Sequence, residues 1–247
     1  MSNNDRQMSE LAQFLKQRGT ILSARNAEII SDFYPKEKDK SQKKHDQPES
    51  SKKIILHPEK KAVKRLLCEW EHASDALFFP SGMAAIMAVI SVLRTKQRPQ
   101  VIVIGLLYSE TYSLLMGPNH SSLFETVFLG LSDLKKLPNL LSNRTAMVIT
   151  ETITNPLCDV PDLEIIGKLT NDRGIPFVVD NTLATPLNCQ PIDWGADYVI
   201  HSTTKFLNGA NDHAGGVVLI KNSVNAKRLK NLHRNWKLDI SELEIAV

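Results

Sequence analysis

The chain has 247 residues, 42% of them hydrophobic and 23% charged, and a formal net charge of +3. That length suits one large core with at most a small appendage, and the near-balanced charge gives no footprint for nucleic acid. Cys68, Cys158 and Cys189 are scattered, which excludes a disulfide framework or cysteine-rich metal centre, and no apolar run approaches the roughly 18 residues of a membrane span.

Leu11, Phe14 and Leu15 suggest a short amphipathic helix near the N-terminus, where Met1 to Asp5 is polar and no signal-peptide core follows. The chain therefore reads as cytoplasmic. Between Lys36 and Lys53 seven lysines face four acidic residues with little apolar content, so residues 1–53 read as an arm ending in a charged, mobile linker. Order is expected from residue 54. Pro58 suits a first helical turn, and Val63, Leu66, Leu67 and Trp70 follow at helical spacing. The short apolar segment Ala76-Leu77-Phe78-Phe79 then leads through Pro80-Ser81-Gly82-Met83 into the small apolar stretch Ala84 to Leu93, a buried helix. A glycine turn at a helix start exposes free N–H groups beside a positive dipole end, so Gly82 and Met83 are either a phosphate cradle or a plain tight turn.

Five apolar, β-branched runs read as buried parallel strands: 101–104, 146–149, 176–179, 199–200 and 216–220. Pro161 is expected to open a helix carrying Leu163, Ile166 and Leu169 and ending near Gly174. Strands alternating with helical segments predict an α/β domain with a mostly parallel sheet, spanning residues 54–222. Tyr108, Asn155, Asp180, Ser202, Thr204 and Lys205 all follow the carboxyl ends of apolar runs, and parallel strands gather such ends at one sheet edge. Lys205 follows three hydroxyl-bearing residues after His201. A neutral lysine amine can bond a carbonyl carbon while hydroxyls hold a phosphate on the same molecule, and pyridoxal 5'-phosphate carries both groups. Asp180 would suit a pyridinium nitrogen, or else a helix cap or loop salt bridge. Tyr108 could stack on a flat ring or fill the core. No GxGxxG, Walker A, HExxH or GxSxG pattern competes.

Four blocks in this order, residues 81–85, 151–157, 179–186 and 195–209, resemble the signatures of the Cys/Met-metabolism family of pyridoxal-phosphate enzymes. That family includes cystathionine γ-synthase, cystathionine β- and γ-lyases and methionine γ-lyase. The resemblance implies a fold-type I large domain, with helices on both faces of the sheet and a covalent cofactor link at Lys205. It places Asp180 at the pyridine nitrogen, Gly82, Met83, Ser202 and Thr204 at the phosphate, Tyr108 on the ring and Asn155 near the phenolic oxygen. The activity implied is a carbon–sulfur lyase or γ-synthase acting on a sulfur-containing or activated homoserine amino acid.

The resemblance also predicts departures. The family's Tyr-x-Arg, which reaches a neighbouring subunit's cofactor phosphate, is replaced here by Lys52 and Ile54. The family's Tyr-Gly-Gly-Thr loop reads Tyr108-Ser109-Glu110-Thr111, where Ser109 and Glu110 would be strained if the glycines need φ > 0. The likeness fades after residue 222, so residues 223–247 are expected to be a shortened connecting segment without the family's small C-terminal domain. A homo-oligomer, dimer or tetramer, or a hetero-oligomer with a full-length relative is expected. The alternative to an active enzyme is a cofactor-binding homologue with little turnover. Neither membrane nor nucleic acid is expected as a partner.

Overall fold

Alternation along each apolar run sorts the core into two faces of one sheet. In the computed structural model, which describes residues 58–116, 124–210 and 212–240, seven strands form that sheet. They are β1 (Asp75–Phe79), β2 (Gln100–Ile104), β3 (Glu125–Leu129), β4 (Thr145–Glu151), β5 (Phe177–Asp180), β6 (Tyr198–Ser202) and β7 (Gly216–Ile220). Their spatial order is β1-β7-β6-β5-β4-β2-β3. The pairs from β3 through β6 are parallel, whereas β7 runs antiparallel to both β6 and β1. The expectation of a mostly parallel α/β sheet therefore holds.

Val101 and Val103 belong to one cluster and Ile102 and Ile104 to the other; Val218 and Ile220 part from Val217 and Leu219 in the same way. Each fully buried aliphatic side chain of this kind contributes about 2 kcal/mol. The first cluster is covered by α2 (Gly82–Leu93), α3 (Ser109–Met116) and α7 (Ser223–Asn235). The second is covered by α1 (Pro58–Trp70), the short α4 (Leu137–Leu140) and α5 (Leu163–Asn171), and a further short helix, α6 (Thr185–Asn188), follows β5. Helices thus lie on both faces. In α7, Ala226 and Leu229 are fully buried in the first cluster, and the His233 ring bonds the Phe78 carbonyl at 2.6 Å. Asp75 at the start of β1 is paired with both Lys64 of α1 and Lys230 of α7, tying the two layers to one strand end.

Three features depart from the sequence-based expectations. Strand β3 carries no clear apolar run, and its exposed, mixed-polarity residues suit an edge position with a single neighbour, β2. The run 216–220, read from sequence as a parallel strand, is β7 and lies antiparallel to both of its neighbours, β6 and the edge strand β1. The helix assigned to Pro161 begins at Leu163, because the Asp162 carboxylate caps it by accepting the Ile165 N–H at 3.0 Å. It closes at Asn171, ahead of Gly174. The proposed N-terminal helix, the 36–53 linker and the Lys52/Ile54 replacement lie outside the described residues. No helix among the described residues is long and apolar enough to cross a membrane.

Candidate cofactor site

At the carboxyl ends of β4, β5 and β6 the chain leaves the sheet toward one cleft of about 400 Å³. Gly82, Met83, Tyr108, Asn155, Asp180, Ser202, Thr204 and Lys205 all line it. These are the eight residues singled out from sequence, and the fold brings every one of them together.

The floor is built by two close approaches. Gly82 opens α2, with Ser81 as its cap accepting the Ala84 N–H at 3.1 Å. A Cβ on Gly82 would stand 3.0 Å from the Ser202 Cβ, so any side chain there would push the helix start a few tenths of an ångström from the end of β6. Gly216 makes the second approach, since a Cβ there would lie 2.4 Å from the Ser81 carbonyl. The first N–H groups of α2 have no partner within the helix and stand beside Ser202, which is the arrangement an anion requires. The turn after β6, Thr203–Leu207, is a π-type turn with Lys205 off helical geometry at φ −92°, ψ −129°. It is fastened by the Thr204 hydroxyl, which accepts the Gly215 N–H at 3.1 Å, and by the Thr203 N–H, which donates to the Gly215 carbonyl at 3.0 Å. Lys205 is exposed into the cleft by this break.

Asp180 ends β5. Its Oδ1 accepts both the Thr182 N–H at 3.0 Å and the Thr182 hydroxyl at 2.5 Å. Burial pushes the Asp180 carboxyl above the usual range, against the pull of the two Thr182 bonds and of the nearby His201 ring. Among the described residues no lysine or arginine pairs with it, so the loop salt-bridge alternative is not what the fold uses. Thr182 does more than hold Asp180: its hydroxyl also accepts the Ser202 N–H at 2.9 Å, linking the ends of β5 and β6.

Two cleft residues escaped the sequence reading. Thr182 is one, visible only as part of the block 179–186. Glu151 is the other: it is 6% exposed, ends β4, and is the register partner of Asp180. Burial and then the Asp180 charge drive its carboxyl up to about 7, although backbone N–H groups of Tyr108 and Asn155 work against the rise. The signal available in the sequence was a carboxylate directly after a buried run. Tyr108 is 41% exposed, and its hydroxyl is pushed up by a bond to Glu110. The anticipated strain at Ser109 and Glu110 does not arise, because both open α3 and neither has a positive φ.

On the other face of the same strand ends lies a closed polar cluster. Glu71, Asn181 and His201 are each 0% exposed. Glu71 Oε1 meets His201 Nε2 at 2.6 Å and accepts from Asn181 Nδ2 at 2.7 Å.

An open α/β sheet that collects an amine, a carboxylate and a free helix start at its strand ends belongs to the cofactor-binding class, with its ligand outside the carboxyl edge. The family model for "Cys/Met metabolism PLP-dependent enzyme" matches residues 6–239, and the chain belongs to that family. It is 35% identical over 181 residues to a cystathionine gamma-lyase of Dictyostelium discoideum, covering 72% of this chain and 46% of that protein. An L-methionine gamma-lyase of Brevibacterium sandarakinum is 35% identical over 170 residues, covering 67% of this chain and 40% of the relative. A crystal structure of metB from Corynebacterium glutamicum superposes with a TM-score of 0.71 at 28% identity, covering 76% of this chain and 49% of that one. The chain thus spans about half the length of the relatives it matches.

Pyridoxal 5'-phosphate is the cofactor of this family. The residues present fit it on their own chemistry. A desolvated carboxylate with no lysine or arginine partner among the described residues suits a pyridinium, the close approach of Gly82 to Ser202 leaves room for an anion at the helix start, and Lys205 supplies an amine in the same cleft.

Proposed function

We propose that the chain is the cofactor-binding part of a carbon–sulfur lyase or γ-synthase acting on a sulfur-containing or activated homoserine amino acid, with Lys205 as the residue that carries the cofactor. The observation that supports this reading best is the convergence of all eight sequence-selected residues on one cleft. Pyridoxal 5'-phosphate, when bound, supplies an electron sink for a carbanion at the amino acid's α-carbon. The protein's own contributions follow from its groups. The Asp180 carboxylate would hold the ring nitrogen and stabilise a positive charge there. Gly82 and Met83 N–H groups with the Ser202 and Thr204 hydroxyls would hold the phosphate, Tyr108 would serve the ring and Asn155 its phenolic oxygen. Lys205 would hold the cofactor, and its amine, lining the same cleft, would be the group to take the proton from the substrate α-carbon and to return one to the product.

A second reading, cofactor binding with little turnover, is favoured by Lys52 and Ile54 standing where the resemblance expects a tyrosine and an arginine, since a lysine lacks arginine's bidentate fork. Self-association as a dimer or tetramer, or assembly with a full-length relative, is part of the proposal and is supported by Phe206, 63% exposed at the cleft. A cytoplasmic setting is supported by three dispersed free cysteines. Incubation of cofactor-loaded protein with cystathionine or methionine separates the two readings. Release of a thiol and a 2-keto acid is expected, and a protein that holds the cofactor yet releases neither would overturn the enzyme reading in favour of the second.

A further inference from the structure

Glu151 stands out because the proposed chemistry does not use it, although it is a nearly buried carboxylate lining the same cleft. Its two oxygens reach two different loops. Oε1 accepts the Tyr108 N–H at 2.6 Å, from the loop between β2 and α3. Oε2 accepts the Asn155 N–H at 3.0 Å, from the loop that follows β4 itself. The end of β4 that bears Glu151 is itself fixed on both sides. The Thr150 hydroxyl donates to the Ile104 carbonyl of β2 at 2.7 Å, and the Thr152 N–H donates to the Asp180 carbonyl of β5 at 3.0 Å. The carboxylate therefore projects from a rigid strand end to two backbone groups that no strand pairing restrains.

We propose that Glu151 is a positioning residue that clamps the Tyr108 and Asn155 loops together across the mouth of the cleft, so that one side chain sets the placement of both ring contacts. A carboxylate suits this task because it offers acceptors on both oxygens and no donor. Glutamine would turn one of these acceptors into a donor facing an N–H, releasing one loop. Aspartate would keep both acceptors but fall short by a methylene. The burial of Glu151 beside Asp180, unfavourable for two carboxylates, is opposed by those two N–H bonds. The inference rests on the cleft being the cofactor site for its functional meaning, but its geometry is testable without cofactor.

The decisive experiment is amide hydrogen exchange on the full chain, with and without added pyridoxal 5'-phosphate, for wild type, Glu151→Gln and Glu151→Asp. Protection at Tyr108 and Asn155 is expected to fall at least tenfold in Glu151→Asp and at one of the two in Glu151→Gln, while Val179 and Val199 stay as in wild type. Affinity for the cofactor is expected to drop about tenfold in both variants. Unchanged protection at Tyr108 and Asn155, or an equal loss at Val179 and Val199, would overturn the clamp and leave a merely structural carboxylate. If Glu151→Gln does not fold, the exchange pattern of Glu151→Asp decides between the same two outcomes. Absence of cofactor binding by the wild type would instead defeat the functional reading of the cleft, while the cofactor-free exchange data would still decide the clamp.

Discussion

The ends of β5 and β6 carry two polar assemblies on opposite faces of the sheet, and they have opposite characters. On one face Asp180 and Ser202 border an open cleft with Lys205; on the other, their chain neighbours Asn181 and His201 are sealed against Glu71. The period of two along a strand makes this division, sending consecutive residues to opposite sides. Polar groups in the cleft keep bonding capacity for a ligand, whereas the sealed cluster bonds through Glu71 Oε1 to His201 Nε2 and Asn181 Nδ2 and leaves Glu71 Oε2, Asn181 Oδ1 and His201 Nδ1 buried without a partner among the described residues. The sealed side fixes the backbone from which the cleft side projects.

Breaking the sealed side should cost the most stability and the least chemistry. Glu71→Ala leaves His201 and Asn181 buried without their shared acceptor, and unfolding in urea should show a loss of about 3 kcal/mol. Where the variant remains folded, its cofactor should stay bound. Breaking the open side should do the reverse. Asp180→Ala should leave stability near that of the wild type and weaken cofactor binding about a hundredfold, or about 2.7 kcal/mol, measured by titration of the visible absorption.

Titration separates the faces further. The Glu151 carboxyl is raised to about 7 in the folded chain, so it stabilises the fold fully only below its ordinary unfolded range and loses that contribution as pH rises through about 7. Cofactor-free wild type should therefore lose about 2 kcal/mol of stability from this group between about pH 5 and pH 7. Asp180, also raised, pulls in the same direction, and Glu151→Gln should flatten the Glu151 share of the slope in denaturant melts. The smallest effect is expected at the cradle. Gly82→Ala forces a Cβ to 3.0 Å from the Ser202 Cβ, so the helix start must shift by a few tenths of an ångström. Phosphate grip should weaken roughly tenfold, about 1.4 kcal/mol in cofactor affinity.

Much of this contrast was legible in the sequence, and what was hidden had physical reasons. Continuous β-branched runs announced β2, β4, β5, β6 and β7, because strands buried on both faces leave no polar interruption. Strand β3 was silent, since an edge strand with exposed Glu125 and Phe128 has a weak apolar signal. The cleft residues could be found because a parallel sheet converts the ends of strands into neighbours. Glu151 also follows a buried run, but its bond to the Tyr108 N–H, 43 residues away, was hidden, because only the pairing of β2 with β4 creates that contact. The sealed cluster was hidden for the same reason: Glu71 lies 130 residues from His201.

Lys205 is the amine proposed to hold the cofactor. Purified protein incubated with pyridoxal 5'-phosphate, reduced with borohydride and mapped by peptide mass, tests it directly. The cofactor's added mass is expected on the peptide containing Lys205, with loss of the visible band and of the adduct in Lys205→Ala. An adduct on another lysine, or an unaltered band in Lys205→Ala, would contradict that assignment.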